Sequence, residues 1–337
     1  MSQAPRRIGM IGAGWVTQYH LPAWAAQSAR ATVVAIADPS AAAGSARAAE
    51  YAIAANYTDV RAMLAAERLD AVDICAPREA HAELVRLAAD AGCAVLCQKP
   101  LAMDLGAARQ LVADIGGRVP LMVHENWRFR PHYRTLRRWL DEGVAGELWQ
   151  VQLEFLSSGM IADGQGNRPA LVRQPFFRTL DRLLVMEVLI HHLDTLRFLL
   201  GEFTLQSARL ERTNNDIVSE DVATVLLQRR ADGTPLVVTG NLATHGAPPL
   251  PSERLRIFGK AGTLELDGNV ITATGAATRR ETFDTGRNYQ ESYNQVIARF
   301  LDGLDGAVPF ETSPDDNLKT LELVEAIYEQ AGPVVVR

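Results

Sequence analysis

The sequence predicts an α/β protein in two parts: a doubly wound parallel sheet over residues 1–125, then an α+β domain over 126–337 with a large, mainly antiparallel open sheet. Three observations carry this. Short apolar runs alternate with alanine-rich, helix-prone stretches through the first 125 residues. A glycine turn closes the first of those runs. After Asn126 the pattern changes to β-prone runs separated by hairpin signals. Short runs apolar throughout suit strands buried on both faces of a parallel sheet. Alternation with helices argues for βαβ units with right-handed crossovers.

In the first part the apolar runs are Ile8 to Ile11, Val33 to Ala37, Ala71 to Ala76, Ala94 to Cys97 and Leu121 to Val123. Helix-prone stretches lie between them at Trp15 to Gln27, Ala41 to Tyr51, Val60 to Glu67, His81 to Ala91 and Leu105 to Ile115. Beyond Asn126, Pro131 to Asp141 predicts a helix and Leu148 to Leu156 a strand. Ser157 to Thr179 is a long loop, of the kind that serves as a lid or substrate loop; it carries Asp163, Asn167 and Arg168. Met186 to Leu200 predicts an apolar helix stopped by Gly201. The runs Thr204 to Glu211, Ala223 to Gln228, Leu236 to Ala243, Leu255 to Phe258 and Thr263 to Leu266 are divided by turn signals such as Asp232-Gly233. Helices at Tyr289 to Leu304 and Asp315 to Gln330 close the chain.

Composition narrows the function classes. The 337 residues include 34 Lys and Arg against 40 Asp and Glu, a net charge of −6. That is not the basic face of a nucleic-acid-binding protein. No run reaches the roughly 20 apolar residues of a membrane helix. The three cysteines, Cys75, Cys93 and Cys97, do not form a disulfide framework. The chain opens directly into a strand-like segment, without a signal h-region and cleavage site. The expectation is a cytoplasmic protein acting on a small molecule, with no nucleic-acid or membrane partner.

The glycine turn Gly12-Ala13-Gly14 sits between a strand and a helix. Gly12 permits a tight turn. Gly14 removes a side chain where a pyrophosphate would meet the backbone. The helix beginning at Trp15 and Val16 aims its first N–H groups at that charge, as in a Rossmann domain. Thr17 replaces the third glycine of G-x-G-x-x-G, a position concerned with helix–strand packing. Asp38 ends the second strand, where an acid accepts from the ribose hydroxyls of NAD and repels the 2′-phosphate of NADP. Asp38 also suits the start of the turn Asp38-Pro39-Ser40. The order of strand, glycine turn, helix, strand and acid favours NAD as cofactor.

Alcohol oxidation needs a hydride acceptor and a base for the hydroxyl proton. Lys99 follows a strand end, on the edge where nucleotide ligands lie, and Pro100 holds it extended. The positive nicotinamide of NAD⁺ disfavours a charged neighbour, so Lys99 is suited to polarise a substrate oxygen and shuttle its proton. His191 lies four residues after Glu187 on one helical face, so the carboxylate can orient the imidazole. His191 is the expected general base and Glu187 its orienter. Asp194 shares that wall, and His192 turns roughly 100° away. A satisfied core histidine is the bland alternative for His191. No H-E-x-x-H occurs and adjacent histidines diverge on a helix, so no metal is expected.

Four ordered segments resemble one family, the glucose–fructose oxidoreductase/inositol dehydrogenase/MocA (Gfo/Idh/MocA) family. They are Gly12-Ala13-Gly14 with His20-Leu21-Pro22-Ala23, then Ala76-Pro77-Arg78-Glu79-Ala80-His81, then Gln98-Lys99-Pro100, and Glu187 to Asp194. Gln98 stands where the family usually has Glu, which weakens electrostatic support of Lys99. Glu187 stands where it usually has Asp. The resemblance implies a nicotinamide cofactor, a sugar or polyol substrate, and a homodimer or homotetramer packed through the C-terminal sheet. It implies cofactor contacts from Pro77, His81 and Gln98, besides Lys99. It also implies sugar contacts from Asn126 and Arg128, with Trp127 stacking on sugar or nicotinamide and Asp194 and His192 completing the set. The Gln98-Lys99-Pro100 and Glu125 to Phe129 variants resemble branch members acting on pentoses, including apiose. Expected, then, is an NAD-dependent dehydrogenase of a sugar or polyol, an aldose giving a lactone. Two alternatives stay open: an NAD-dependent redox-neutral glycosidase of the same fold, and a non-catalytic NAD-binding regulator.

Overall fold

A computed structural model describes residues 4–337. The chain divides into two compact units, one of residues 4–129 with Tyr289–Lys319 and the other Arg130–Asn288 with Thr320–Arg337. The predicted single division between 125 and 126 therefore needs correction, because residues 289–319 return to the first unit.

In the first unit the strands are β1 (Arg6–Ile11), β2 (Ala31–Ala37), β3 (Ala55–Tyr57), β4 (Ala71–Ile74), β5 (Ala94–Gln98) and β6 (Leu121–His124). They form one parallel sheet in the order β3-β2-β1-β4-β5-β6. The order reverses beside β1, the switch point at which doubly wound sheets bind ligands. Five helices alternate with the strands: α1 (Thr17–Ala25), α2 (Ala41–Glu50), α3 (Val60–Ala66), α4 (Arg78–Asp90) and α5 (Leu105–Ile115). Local signals set their ends. Asp59 and Asp104 accept from backbone N–H groups at the starts of α3 and α5, and Gly116 stops α5 in the left-handed region. One face of the sheet is covered by α1 together with Tyr293, Val296, Ile297, Phe300 and Leu301, the apolar stripe of a late helix. The other face packs on α4 and α5 through Val85, Ala88, Leu111 and Ile115.

The second unit contains α6 (Pro131–Asp141), β7 (Leu148–Leu156), α7 (Pro169–Arg173) and a 3₁₀ turn at Pro175–Thr179. These last two lie within the predicted long loop. A π-helical segment, Leu184–Leu189, leads directly into α8 (Ile190–Leu200), so the predicted continuous helix is of two kinds. Then come β8 (Phe203–Arg212), β9 (Val222–Arg229), β10 (Pro235–Asn241), β11 (Ser252–Gly259), β12 (Gly262–Asp267), β13 (Val270–Gly275) and β14 (Arg279–Thr282). Helices α9 (Thr285–Leu304) and α10 (Pro314–Ala331) and the edge strand β15 (Val335–Val336) end the chain. The nine-stranded sheet has the order β14-β13-β12-β11-β7-β10-β9-β8-β15. It is mainly antiparallel, with parallel pairs β7–β10 and β8–β15. Residues Ala223, Val225 and Leu227 of β9 and Leu236 and Val238 of β10 are buried, while Thr224 and Leu226 between them are exposed. That period of two is the signature of a sheet buried on one face. Among the described residues no helix is long and apolar enough to cross a membrane.

Candidate active site

Gly12 leaves β1 at φ +98°, and a Cβ there would stand 2.7 Å from the Cys75 carbonyl oxygen. Only glycine fits that turn. A Cβ built at Gly14 would meet nothing within 4 Å beyond its chain neighbours, so that side of the turn is open to a ligand. Gly14, Trp15 and Val16 precede α1, where the orphan N–H groups of a helix start lie. Asp38 leaves β2 with one carboxylate oxygen accepting from Ala13 N at 2.8 Å and the other from Ser40 N at 2.8 Å. The carboxylate thus ties the glycine turn to the second strand and also shapes its own turn. The turn expected at Asp38 is seen, and its oxygens keep lone pairs for further donors. These residues fit a dinucleotide.

Lys99 follows β5 on the same carboxyl edge of the sheet. Its side chain is partly exposed, and the Lys99–Pro100 peptide is cis. Its backbone N–H donates to Gln98 Oε1 at 3.2 Å. The Pro100 carbonyl lies 2.7 Å from His81 Nδ1, and His81 Nε2 lies 2.9 Å from the Ala76 carbonyl. Burial pushes the His81 imidazole below its ordinary range, although both carbonyls pull it up. His81 is buried and joins the turn after β4 to the segment carrying Lys99, so the expected cofactor contact becomes a bracing role. Pro77 is exposed at the start of α4.

Asn126 and Arg128 are buried with internal partners, which departs from the expected sugar contacts. Asn126 Nδ2 donates to Ser292 Oγ at 2.8 Å. Arg128 donates to Asp316 at 2.7 Å and to the Glu311 carbonyl. Trp127 remains partly exposed, its ring edge-on to Tyr289 at 6.2 Å.

In the second unit, Glu187 lies in the π-helical segment and His191 in the first turn of α8, both partly exposed. The start of that segment is fixed from below by buried Glu220. Its Oε1 accepts from Val185 N at 3.0 Å and from the Tyr328 hydroxyl, and Tyr328 in turn accepts from Met186 N at 3.2 Å. Two orphan N–H groups are thereby satisfied. Burial and then the Glu220 charge push the Tyr328 hydroxyl well above its ordinary range. His192 and Asp194 turn inward, again contrary to expectation. His192 Nε2 lies 3.1 Å from Glu253, which also accepts from Tyr133 at 2.7 Å. Asp194 accepts from Thr320 at 3.0 Å and lies beside Arg197. In the 157–179 segment, Arg168 pairs with Asp216 at 2.6 Å and Asp163 accepts from Gln165 and Asn167 backbone N–H groups, so these side chains shape the loop itself.

Sequence reasoning missed a buried network behind Lys99. Asp73, in the middle of β4, accepts from Trp24 Nε1 at 2.7 Å and lies 2.8 Å from His20 Nδ1. His20 Nε2 lies 2.8 Å from Gln98 Nε2. The one signal available was a carboxylate inside the apolar run Ala71-Val72-Asp73-Ile74, because a buried charge demands partners. Glu220 and Glu253 carried no comparable signal.

A Rossmann sheet with a glycine turn and an acid at its switch point, joined to an α+β unit, defines a nucleotide-dependent oxidoreductase architecture. Comparison with known proteins agrees. Residues 6–116 match the model described as "Oxidoreductase family, NAD-binding Rossmann fold", and residues 133–265 match the GFO/IDH/MocA C-terminal domain. A D-apiose dehydrogenase of Paraburkholderia graminis is 34% identical over 96% of this chain and 86% of its own. An inositol 2-dehydrogenase of Rhizobium meliloti is 28% identical over 95% of each chain. The crystal structure of an oxidoreductase from Agrobacterium radiobacter in complex with NAD⁺, L-tartaric acid and magnesium superposes with a TM-score of 0.88, at 30% identity over 97% of this chain and 96% of that one. The chain belongs to the Gfo/Idh/MocA oxidoreductase family, and its first unit is an NAD-binding Rossmann domain.

Proposed function

We propose that the protein is an NAD-dependent dehydrogenase that oxidises a hydroxyl of a sugar or polyol, with an aldopentose such as D-apiose as the first candidate. The supporting observation is the cofactor cradle at the ends of β1 and β2 with Lys99 on the same strand-end edge. The substrate class is supported by the D-apiose and inositol dehydrogenases among the relatives. When bound, NAD⁺ supplies the hydride acceptor. Gly12, Gly14, Trp15, Val16 and Asp38 hold it, with Pro77 beside them. Lys99 polarises the alcohol oxygen. His191 accepts the hydroxyl proton, and Glu187, one turn earlier, orients the imidazole. Trp127 offers an aromatic face to the sugar.

The second sheet leaves Leu226, Val237, Thr239 and Arg256 at least partly exposed on the face opposite its buried one. We assign that face to self-association as a dimer or tetramer. The three thiols are free and buried, which suits a reducing cytoplasm.

The test is a spectrophotometric screen for NADH with NAD⁺ and D-apiose, D-xylose, D-glucose and myo-inositol, followed by the variants Lys99→Ala and His191→Asn. Turnover of one sugar or polyol is expected. Lys99→Ala should lower it by orders of magnitude with NAD⁺ affinity retained, and His191→Asn should flatten the basic limb of the pH–rate profile. Cleavage of a glycoside without NADH accumulation would replace this reading with the redox-neutral one, and full activity of Lys99→Ala would remove the lysine from the mechanism.

A further inference from the structure

We propose that Asp73, His20 and Gln98 form a positioning relay for Lys99, in which a buried carboxylate sets the tautomer of an imidazole and the imidazole sets the orientation of an amide. The proposal rests on the role given to Lys99 above. All of its members lie in the first unit.

The relay starts at its buried end. Asp73 is fully buried, and a carboxylate can only accept. Its Oδ2 takes the Trp24 indole N–H at 2.7 Å and faces His20 Nδ1 at 2.8 Å, so the His20 proton must sit on Nδ1. Cys75 Sγ, 3.7 Å from Oδ1, is a third, weak donor, and burial followed by the Asp73 charge holds its thiol protonated. With Nδ1 protonated, the neutral His20 ring has only an acceptor left at Nε2. Gln98 Nε2 lies 2.8 Å from that nitrogen and supplies the matching N–H. The second amide hydrogen is directed at His124 Nδ1, 3.4 Å away, and the His124 ring lies over His20 with centroids 4.1 Å apart.

With both amide hydrogens on imidazoles, Gln98 Oε1 is turned the other way, and there it accepts the Lys99 backbone N–H at 3.2 Å. The opposite orientation would point a carbonyl oxygen at His20 Nε2 and require a second proton on that ring. His81 holds the carbonyl of Pro100 just beyond, so the main chain at Lys99 is fixed on both sides. The relay also accounts for glutamine at 98. A carboxylate there would need a donor from His20 Nε2 while Asp73 already takes the proton on Nδ1. The amide does the positioning with no second charge in the network.

Three donor and acceptor groups at His20, Asp73 and Cys75 lie close enough to share a metal ion. The Trp24 N–H on the same Asp73 oxygen favours the hydrogen-bonded arrangement, since an indole N–H only donates.

Two measurements test the relay. Nitrogen-15 NMR of histidine-labelled wild-type protein should show His20 as a neutral ring with its proton on Nδ1, unchanged by added zinc. A proton on Nε2, a doubly protonated ring, or a zinc-induced shift of that signal overturns the proposal without reference to turnover. The second is a double-mutant cycle of His20→Leu and Gln98→Ala in the sugar-dependent NADH assay. Each single variant should lower kcat by about 10- to 100-fold, the usual loss when a group that orients a reacting side chain is removed, with NAD⁺ Kd and sugar KM little changed. The double variant should be no slower than the slower single, because both act through one amide. Multiplicative losses in the double variant would overturn the relay while leaving Lys99 in place. A fully active Lys99→Ala would instead sink the role assigned to the lysine, with the NMR result still deciding the arrangement around it.

Discussion

Acid should destabilise the second unit through His132 before its carboxylates titrate. This imidazole sits on α6, with Nδ1 facing Asn288 Nδ2 at 2.6 Å and Nε2 3.5 Å from Glu253. Burial pushes it down from 6.5 to about 4, against the pull of Glu253 and with the push of Arg130. The sign follows from proton counting. Between pH 6.5 and about 4 the unfolded chain carries a proton on this ring and the folded one does not, so unfolding becomes easier as pH falls. The interval 6.5 − 4 is 2.5 pH units, and at about 1.36 kcal/mol per unit the loss comes to about 3 kcal/mol. That is a large part of the net stability of an ordinary domain. Glu253 acts in a lower window. Burial pushes its carboxyl up, but the His192 hydrogen bond and the charges of Arg130, His192 and His132 pull it well below the ordinary range. Its contribution is therefore full above about 4.5 and lost as pH falls through its depressed folded value. Urea unfolding of wild-type protein and His132→Phe, compared across a pH series from neutral to acid, isolates the first window. The wild type should lose about 3 kcal/mol more than the variant between pH 6.5 and 4. Parallel pH slopes for the two proteins would mean that the His132 imidazole does not set this loss.

Three further outcomes are expected. Gly12→Ala places a Cβ 2.7 Å from a backbone oxygen at φ +98°, so it should weaken NADH binding in a fluorescence titration and lower the melting temperature; an unchanged affinity would detach the turn from the cofactor. Asp38→Ala should weaken NAD⁺ binding by about 10-fold or more, the worth of one hydrogen bond to a charged group, and narrow the discrimination against NADP⁺. A protein that already prefers NADP⁺ contradicts that account of Asp38. Glu220→Ala leaves the buried Val185 N–H without its acceptor, at about 1–3 kcal/mol, and frees the half-buried Tyr328 hydroxyl, and should appear as lower stability in denaturant together with lower kcat. Loss of neither would mean that the π-helical segment holds itself.

What the sequence disclosed follows from where each signal resides. Strands buried on both faces announce themselves as uninterrupted apolar runs, so β1, β2, β4, β5 and β6 were all legible within a few residues. The edge strand β3 has three residues, one of them the exposed Asn56, and left no such run. Likewise β13 and β14 lie at the far edge of the second sheet, where alternation is short and polar. The stripe Tyr293, Val296, Ile297, Phe300 and Leu301 shows that α9 buries one face, but periodicity cannot say which sheet receives it, and so the return of 289–319 to the first unit stayed hidden. The strand-end placement of Gly12, Asp38 and Lys99 was readable because the geometry there is local. Asn126, Arg128, His192 and Asp194 are of types that could serve a ligand, and only folding shows that Ser292, Asp316, Glu253 and Thr320 engage them.

The two departures from the family's usual residues share a physical logic. At each, the segment to which the proposed function assigns a reacting side chain is held by one fully buried carboxylate whose nearest hydrogen-bond donors are neutral or aromatic groups. Behind Gln98-Lys99 the carboxylate is Asp73, with Trp24 and His20 as donors. Behind the π-helical segment of Glu187 it is Glu220, with the Val185 N–H and the hydroxyls of Tyr328 and Ser219 as donors. A buried carboxylate without donors is costly, so its partners are held in defined geometry, and that rigidity passes to the residues they touch. The amide at 98 forgoes a charge beside Lys99, and the longer acid at 187 reaches one methylene further from its backbone. On the roles proposed for Lys99 and Glu187, each segment is positioned by the network behind it. Substitutions at Asp73 or Glu220 should therefore alter turnover more than their distance from any ligand suggests, and each should do so through its own segment alone, so that their effects on kcat multiply when the two are combined.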